Sequence, residues 1–247
     1  MEVKFSVHFV KFPLLFQDEC YIEGMKNLSA FRFLVLFSSL VLTAGAVQAA
    51  SNPDLSGRVV FVDGDAWANG RVAETGDLLV GPTVLKTGPA SSLEMVFAGR
   101  NVFRLGPNTV LKIDFSQLKK TVTLDNGVFT SVLKKLGQFS GDAAFVLKTP
   151  TVNAGVRGTS FHVSTDGKST YFCTCNGSVA LDDPSGGNAV TLTNAHHGAR
   201  VFTKEADGSI SVKTAGLEGH TDASIVSLAD RIGVKVDWTQ ADLDHTQ

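Results

Sequence analysis

The chain has 247 residues, 22 Lys and Arg against 24 Asp and Glu, a formal net charge of −2 and three cysteines. So even a balance gives no electrostatic case for binding nucleic acid or an anionic lipid surface. The length suits one or two domains that bury a core without disulfide staples, and three cysteines are too few for a disulfide framework.

Residues 25–49 read as a secretory signal peptide. Lys26 and Arg32 supply positive charge, Phe33 to Phe37 and Leu40 to Leu42 the apolar run, and Val47-Gln48-Ala49 a small-residue cleavage site. The apolar run falls short of the roughly 20 residues a membrane span needs and ends in small residues, not a basic stop. Membrane contact is therefore expected only through this cleavable segment, and the mature protein is expected in the periplasm or secreted. Residues 1–24, which hold Cys20, are expected to be a mis-assigned extension ahead of a start at Met25; the other reading is a short cytoplasmic tail on an anchored protein. Removing residues 1–49 takes away four basic and four acidic side chains, so the charge stays at −2.

From Gly57 onward short apolar runs are punctuated by turn residues. Arg58–Val62, Asp77–Val80, Ser92–Phe97, Val102–Leu105, Val110–Phe115, Thr121–Leu124, Phe145–Leu147, Ser160–Val163, Ser169–Phe172, Ser178–Leu181 and Ala189–Leu192 are predicted strands, many alternating with period two. Asp63-Gly64, Asn69-Gly70, Asn126-Gly127, Asp166-Gly167 and Gly186-Gly187-Asn188 supply the breaks. Strands at such spacing point to a mainly β fold: a sandwich, a barrel or a short β-solenoid, with residues 55–182 as the β domain. Ser131–Leu136 reads either as a helical turn or as a strand running on from Phe129. Residues 183–247 are expected to be a C-terminal extension with a strand and one short helix over Asp222–Ile232. There Ile225, Leu228, Ala229 and Ile232 share a face, Thr221 or Asp222 caps the start and Gly233 suits the stop. Val234 onward is expected to fray, with Trp238 able to dock.

Tyr171-Phe172-Cys173-Thr174-Cys175 alternates as a strand does, so Cys173 and Cys175 face the same way. Cysteines so close seldom bridge each other without strain. In an exported protein two free thiols need a reason. Three readings stand: a soft metal or metallocofactor, inert buried thiols, or a redox or intermolecular disulfide. The metal reading would recruit His196, His197, His220 and Asp222, a thiolate–imidazole set suited to Zn, Cu or Fe. On an extended chain the adjacent His196 and His197 would point to opposite faces, so only one would ligate. His162 is out of phase with the core residues Phe161 and Val163 and is expected to face solvent. No nucleophile elbow, phosphate-cradling glycine loop or His-Glu-x-x-His is present, and no catalytic residue is expected.

Several pieces, in order, resemble the FecR domain of bacterial envelope proteins. Gly76-Asp77-Leu78-Leu79 with Thr87-Gly88 resembles "G-D-x-L … T-G", and Val102-Phe103-Arg104-Leu105-Gly106-Pro107-Asn108-Thr109 resembles "v-x-L-x-P-x-S/T". Leu124-Asp125-Asn126-Gly127-Val128 resembles "L-x-x-G-x-v". Phe145 to Pro150 leading to Val156-Arg157-Gly158-Thr159-Ser160-Phe161-His162-Val163 resembles "F-x-V-x-T-P … v-x-G-T-x-F-x-V", and Gly177-Ser178-Val179 the closing "G-x-V". The likeness runs from Gly57 to about Leu181. Thr149-Pro150 should end a strand and Gly158 should serve a tight bend. Arg157 either pairs internally or meets a carboxylate of a partner.

The best-known members of that family are membrane-spanning regulators of iron-siderophore uptake, with a cytoplasmic anti-sigma segment and a periplasmic FecR domain. Residues 1–24 are too short for a sigma-binding helical domain. The resemblance therefore implies an exported, non-catalytic interaction or sensor domain without anti-sigma activity, with an envelope protein as partner and Arg157 as a contact.

Overall fold

The computed structural model describes residues 55–99, 101–134 and 145–241. The expected signal segment, Cys20 and residues 135 and 136 lie outside them. The strands are β1 (Ser56–Asp63), β2 (Ala66–Ala68), β3 (Arg71–Val72), β4 (Leu78–Val80), β5 (Pro82–Thr87), β6 (Ser92–Phe97), β7 (Asn101–Leu105), β8 (Val110–Asp114), β9 (Lys120–Leu133), β10 (Phe145–Lys148), β11 (Asn153–Val156), β12 (Ser160–Thr165), β13 (Ser169–Asp182), β14 (Val190–Asn194), β15 (Gly198–Lys204) and β16 (Ile210–Ala215). One helix follows, α1 (Asp222–Asp230). The fold is mainly β, as expected. Among its described residues, the stretch 183–247 carries three strands where one was expected, besides the helix.

Two sheets share two long strands. The first runs β4-β1-β6-β7-β9-β12-β13-β15-β16, antiparallel throughout. The second runs β3-β2-β5-β8-β9-β10-β11-β13-β14, with β9 and β10 as its parallel pair. The path β9-β10-β11-β13-β12 returns to β9 and closes a small barrel.

Strand β9 pairs with β8 and β10 over residues 120–126 and with β7 and β12 over 127–133. β13 likewise pairs with β12 and β15 up to Asn176, and with β11 and β14 from Gly177 on. The changeovers fall at Gly127 (φ 104°) and Gly177 (φ 113°). A β-carbon on Gly127 would lie 2.4 Å from Thr109 Cα, and one on Gly177 3.0 Å from Thr159 Cα. Both positions combine a left-handed backbone with close backbone approach, so only glycine fits. Sequence reasoning takes Asn126-Gly127 for a turn and splits both strands; the glycine instead carries one strand from sheet to sheet.

Alternation fills the space between the sheets with Phe103, Phe129, Phe145, Phe161 and Phe172, all buried. Their rings step across the core at centroid separations of 4.9 Å (Phe103–Phe129), 5.8 Å (Phe129–Phe161) and 5.5 Å (Phe161–Phe172). Ser131–Leu133 belongs to β9, so the ambiguous segment continues the strand as far as Leu133.

The outer face of the first sheet carries a second, smaller cluster: Val102, Val132, Tyr171, Cys173, Cys175 and Ala199, covered by Ile225, Leu228, Ala229 and Val234. Thr221 caps α1, its hydroxyl accepting from Ser224 N–H while the Ser224 hydroxyl faces Thr221 N–H. The helix ends at Asp230 rather than Ile232. Gly233 N–H then bonds Asp230 O and Val234 N–H bonds Ala229 O, with Gly233 at φ 64°. Glu94, buried on β6, accepts from Arg104 at 2.7 and 2.9 Å and from Arg231 at 2.8 Å, tying the end of the helix to the sheet. The segment after α1 also docks, against the expectation of fraying: the Asn176 side-chain amide donates to Asp237 O and Gln240 O.

Candidate metal centre

Cys173 and Cys175 stand on the outer face of β13 and are fully buried under the C-terminal layer. His197 sits in the β14–β15 turn at φ 44°, a conformation that histidine tolerates better than most residues. Its N–H bonds Cys175 O at 2.9 Å, which fixes the ring beside the thiols. His220 arrives from the other side, two residues ahead of α1.

These elements converge. The Cys173 Sγ, Cys175 Sγ and one nitrogen each of His197 and His220 all lie within 4.8 Å of one another. Cys173 Sγ is 3.5 Å from His197 Nδ1, and Cys175 Sγ is 3.3 Å from His220 Nε2. Zn–S bonds of about 2.3 Å and Zn–N bonds of about 2.0–2.1 Å at tetrahedral angles give S···N edges of about 3.5 Å, so both separations match the edges of a zinc tetrahedron.

The remaining ring nitrogens are committed elsewhere. His220 Nδ1 is 2.8 Å from Glu218 O; a carbonyl only accepts, so Nδ1 carries the proton and Nε2 presents its lone pair to Cys175. His197 Nε2 donates to Asp222 Oδ1 at 2.7 Å, leaving Nδ1 free toward Cys173. A carbonyl or carboxylate on the far nitrogen is the usual support of a metal-bound histidine.

Asp222 also meets His196 Nε2 at 2.9 Å through Oδ2. Both neighbours therefore reach one carboxylate, because the chain bends at His197 instead of running extended as expected. Separations of 2.7 and 2.9 Å are hydrogen bonds, shorter than ligand–ligand edges about a metal. The structure thus groups the six sequence candidates as four convergent candidate ligands, Cys173, Cys175, His197 and His220, and a neighbouring hydrogen-bonded pair, Asp222 and His196. Hydrogen bonding by His197, then by His196, holds the Asp222 carboxyl below its usual range.

Within the thiol pair, a hydrogen bond from Cys175 lowers Cys173 to about 4 against the opposing effect of burial. Burial pushes Cys175 up. The pair thus favours one thiolate and one thiol, a proton that a divalent ion would displace.

Two walls of the centre, His162 and the docked Trp238, lie outside the sequence candidates for the site. His162 has the expected parity, opposite Phe161 and Val163, but α1 and its approach cover that face. It is 2 % exposed, not solvated. Its ring stacks on His220 at 4.2 Å and its Nδ1 lies 2.8 Å from Thr130 Oγ1. Burial lowers its pKa to about 3, so the ring stays neutral. Trp238 docks over the opposite side, 5.3 Å from the His197 ring and 4.9 Å from that of His196. No sequence pattern placed either residue here, since both contacts depend on where the tail folds back. Arg157 is exposed in the turn between β11 and β12, with no side-chain partner among the described residues and no part in the centre.

Residues 83–180 match the family model described as FecR protein. Two crystal structures from Parabacteroides distasonis, each of a protein provisionally named an anti-sigma factor, resemble the chain. One, at 2.50 Å resolution, is 17% identical with a TM-score of 0.43 and covers 54% of this chain and 60% of its own. The other, at 1.65 Å, is 14% identical with a TM-score of 0.44 and covers 62% and 80%. The chain thus spans 60% of the length of the first. A search of curated protein sequences finds no match. The family match includes both cysteines and stops short of His197, His220 and Asp222.

Proposed function

We propose that this chain, which carries a FecR domain over residues 83–180, is a zinc-binding, non-catalytic protein of the bacterial cell envelope. The observation that carries the reading is the convergence of two sulfurs and two imidazole nitrogens within 4.8 Å, each imidazole held by an acceptor on its far nitrogen. Two sulfurs and two nitrogens in a tetrahedral set suit zinc better than copper(II), which prefers tetragonal sites. Four protein ligands fill the coordination sphere and leave no position for a substrate, as in structural sites rather than catalytic ones. FecR domains are typically regulatory and non-catalytic, which agrees. The envelope location rests on the signal-like residues 25–49, and a bound ion explains how two thiols persist in an oxidising compartment.

Protein exported and purified without chelator or affinity histidines should contain one zinc per chain, with its thiols shielded until a chelator is added. A metal-free, folded protein with two freely reactive thiols would overturn the reading. Cys173→Ser should lose the metal while the sandwich remains folded.

We propose further that the chain acts as an interaction or sensor domain for an envelope protein partner. Arg157 supports this: it presents an exposed guanidinium, a fork suited to a carboxylate, with no internal side-chain partner among the described residues. Arg157→Ala should weaken capture of that partner and leave zinc content unchanged; unchanged capture would remove Arg157 from the interface.

A further inference from the structure

The four candidate ligands belong to two parts of the molecule. Cys173 and Cys175 on β13, and His197 in the turn before β15, are fixed in the sheet. His220 belongs to the segment that leaves β16, crosses the outer face of the first sheet and forms α1. Asp222, the carboxylate that supports His197, is the first residue of that helix. An ion held by all four would join segment to sheet.

Other attachments of residues 216–241 are modest. The helix is nine residues long and buries Ile225, Leu228 and Ala229; a helix so short does not persist in water on its own. Glu94 holds Arg231, Tyr171 Oη donates to Gly216 O, and Asn176 holds Asp237 O and Gln240 O. Without an ion, Asp222 still meets His197 and His196 at 2.7 and 2.9 Å, but the four candidate ligands touch across the join only through Cys175 Sγ and His220 Nε2 at 3.3 Å, a weak hydrogen bond. The core between the sheets contains no residue of the segment. Undocking would thus leave the sandwich intact and uncover Val102, Val132, Tyr171 and Ala199, an apolar strip of the outer face.

We infer that the Cys173–Cys175–His197–His220 centre is a metal-dependent clasp: zinc holds residues 216–241 on the first sheet, and loss of zinc frees them and exposes that face. This rests on the zinc-binding reading and adds a consequence that the reading does not require. The switch is a local order–disorder change, with the ion as the ligand that favours the closed state.

Hydrogen exchange of the exported full chain tests it, with zinc bound and after chelation, zinc content being measured in each sample. The clasp requires amide exchange in residues 216–241 to quicken about a hundred-fold or more on zinc removal, while β9, β10 and β11 keep their protection. Re-addition of zinc should restore it. His220→Ala should leave the segment unprotected at stoichiometric zinc. If zinc is bound and removed but the segment stays protected, the clasp is wrong and the zinc centre stands. If exchange quickens equally throughout, zinc holds the whole fold and the clasp is again wrong. If no zinc is bound as purified, the zinc-binding reading falls and the clasp with it.

Discussion

Asp222 decides how His197 is presented. Its Oδ1 takes the Nε2 proton at 2.7 Å, which turns the Nδ1 lone pair toward Cys173. Asp222→Asn keeps an oxygen that can accept this bond but removes the charge that polarises the ring. Supporting groups of this kind are worth about 10–100-fold in metal affinity, so zinc affinity, measured by competition with a chromophoric chelator, should fall by about that factor with the fold unchanged. An unchanged affinity would reduce the carboxylate to a surface partner of His196. At this scale the sequence revealed residue types and parity: Cys173 beside Cys175, and His162 opposite Phe161. It could not reveal what lay over that face. The alternation rule separates the two sides of a strand but is silent on whether the outer one is covered, and His162 is buried only because Gly219 and His220 cross above it.

Among the elements, β13 matters most, since one strand serves both sheets and carries both thiols. Gly177 lets it do so. A side chain there would meet both an unfavourable φ of 113° and the backbone of Gly158 and Thr159 at 3.0 Å. Gly177→Ala should lower stability by about 2 kcal/mol or more, read as a shift of the denaturant midpoint; a neutral result would mean that the changeover tolerates a β-carbon. The equivalent glycine of β9, Gly127, explains an error of the sequence reading. Asn-Gly pairs are strong turn signals, and only pairing with β8, β10, β7 and β12 shows that β9 passes straight through. Short β2, β3 and β11 offered too few alternating positions to be seen. The helix was legible because its cap, its apolar face and its terminal glycine all agree, and it differs from expectation by two residues at one end.

At the scale of the molecule, a two-sheet sandwich supplies the scaffold and a C-terminal layer completes the candidate centre. The ordered motifs from Gly57 to Leu181 point to the scaffold, and the family match over 83–180 falls within them. The centre was legible as a list of ligand types and illegible as a geometry, because His220 lies 23 to 47 residues beyond the other three in sequence and meets them only after β15 and β16 have been laid down. That division leads to the clasp: a site built from two parts of the chain reports whether the two are joined.

X-ray absorption at the zinc edge of the exported protein tests the central claim most directly. A first shell of two sulfurs at about 2.3 Å and two nitrogens at about 2.0–2.1 Å, reduced to fewer sulfurs in Cys175→Ser, is the expected result. Absence of zinc, or a shell of nitrogen and oxygen alone, would contradict it.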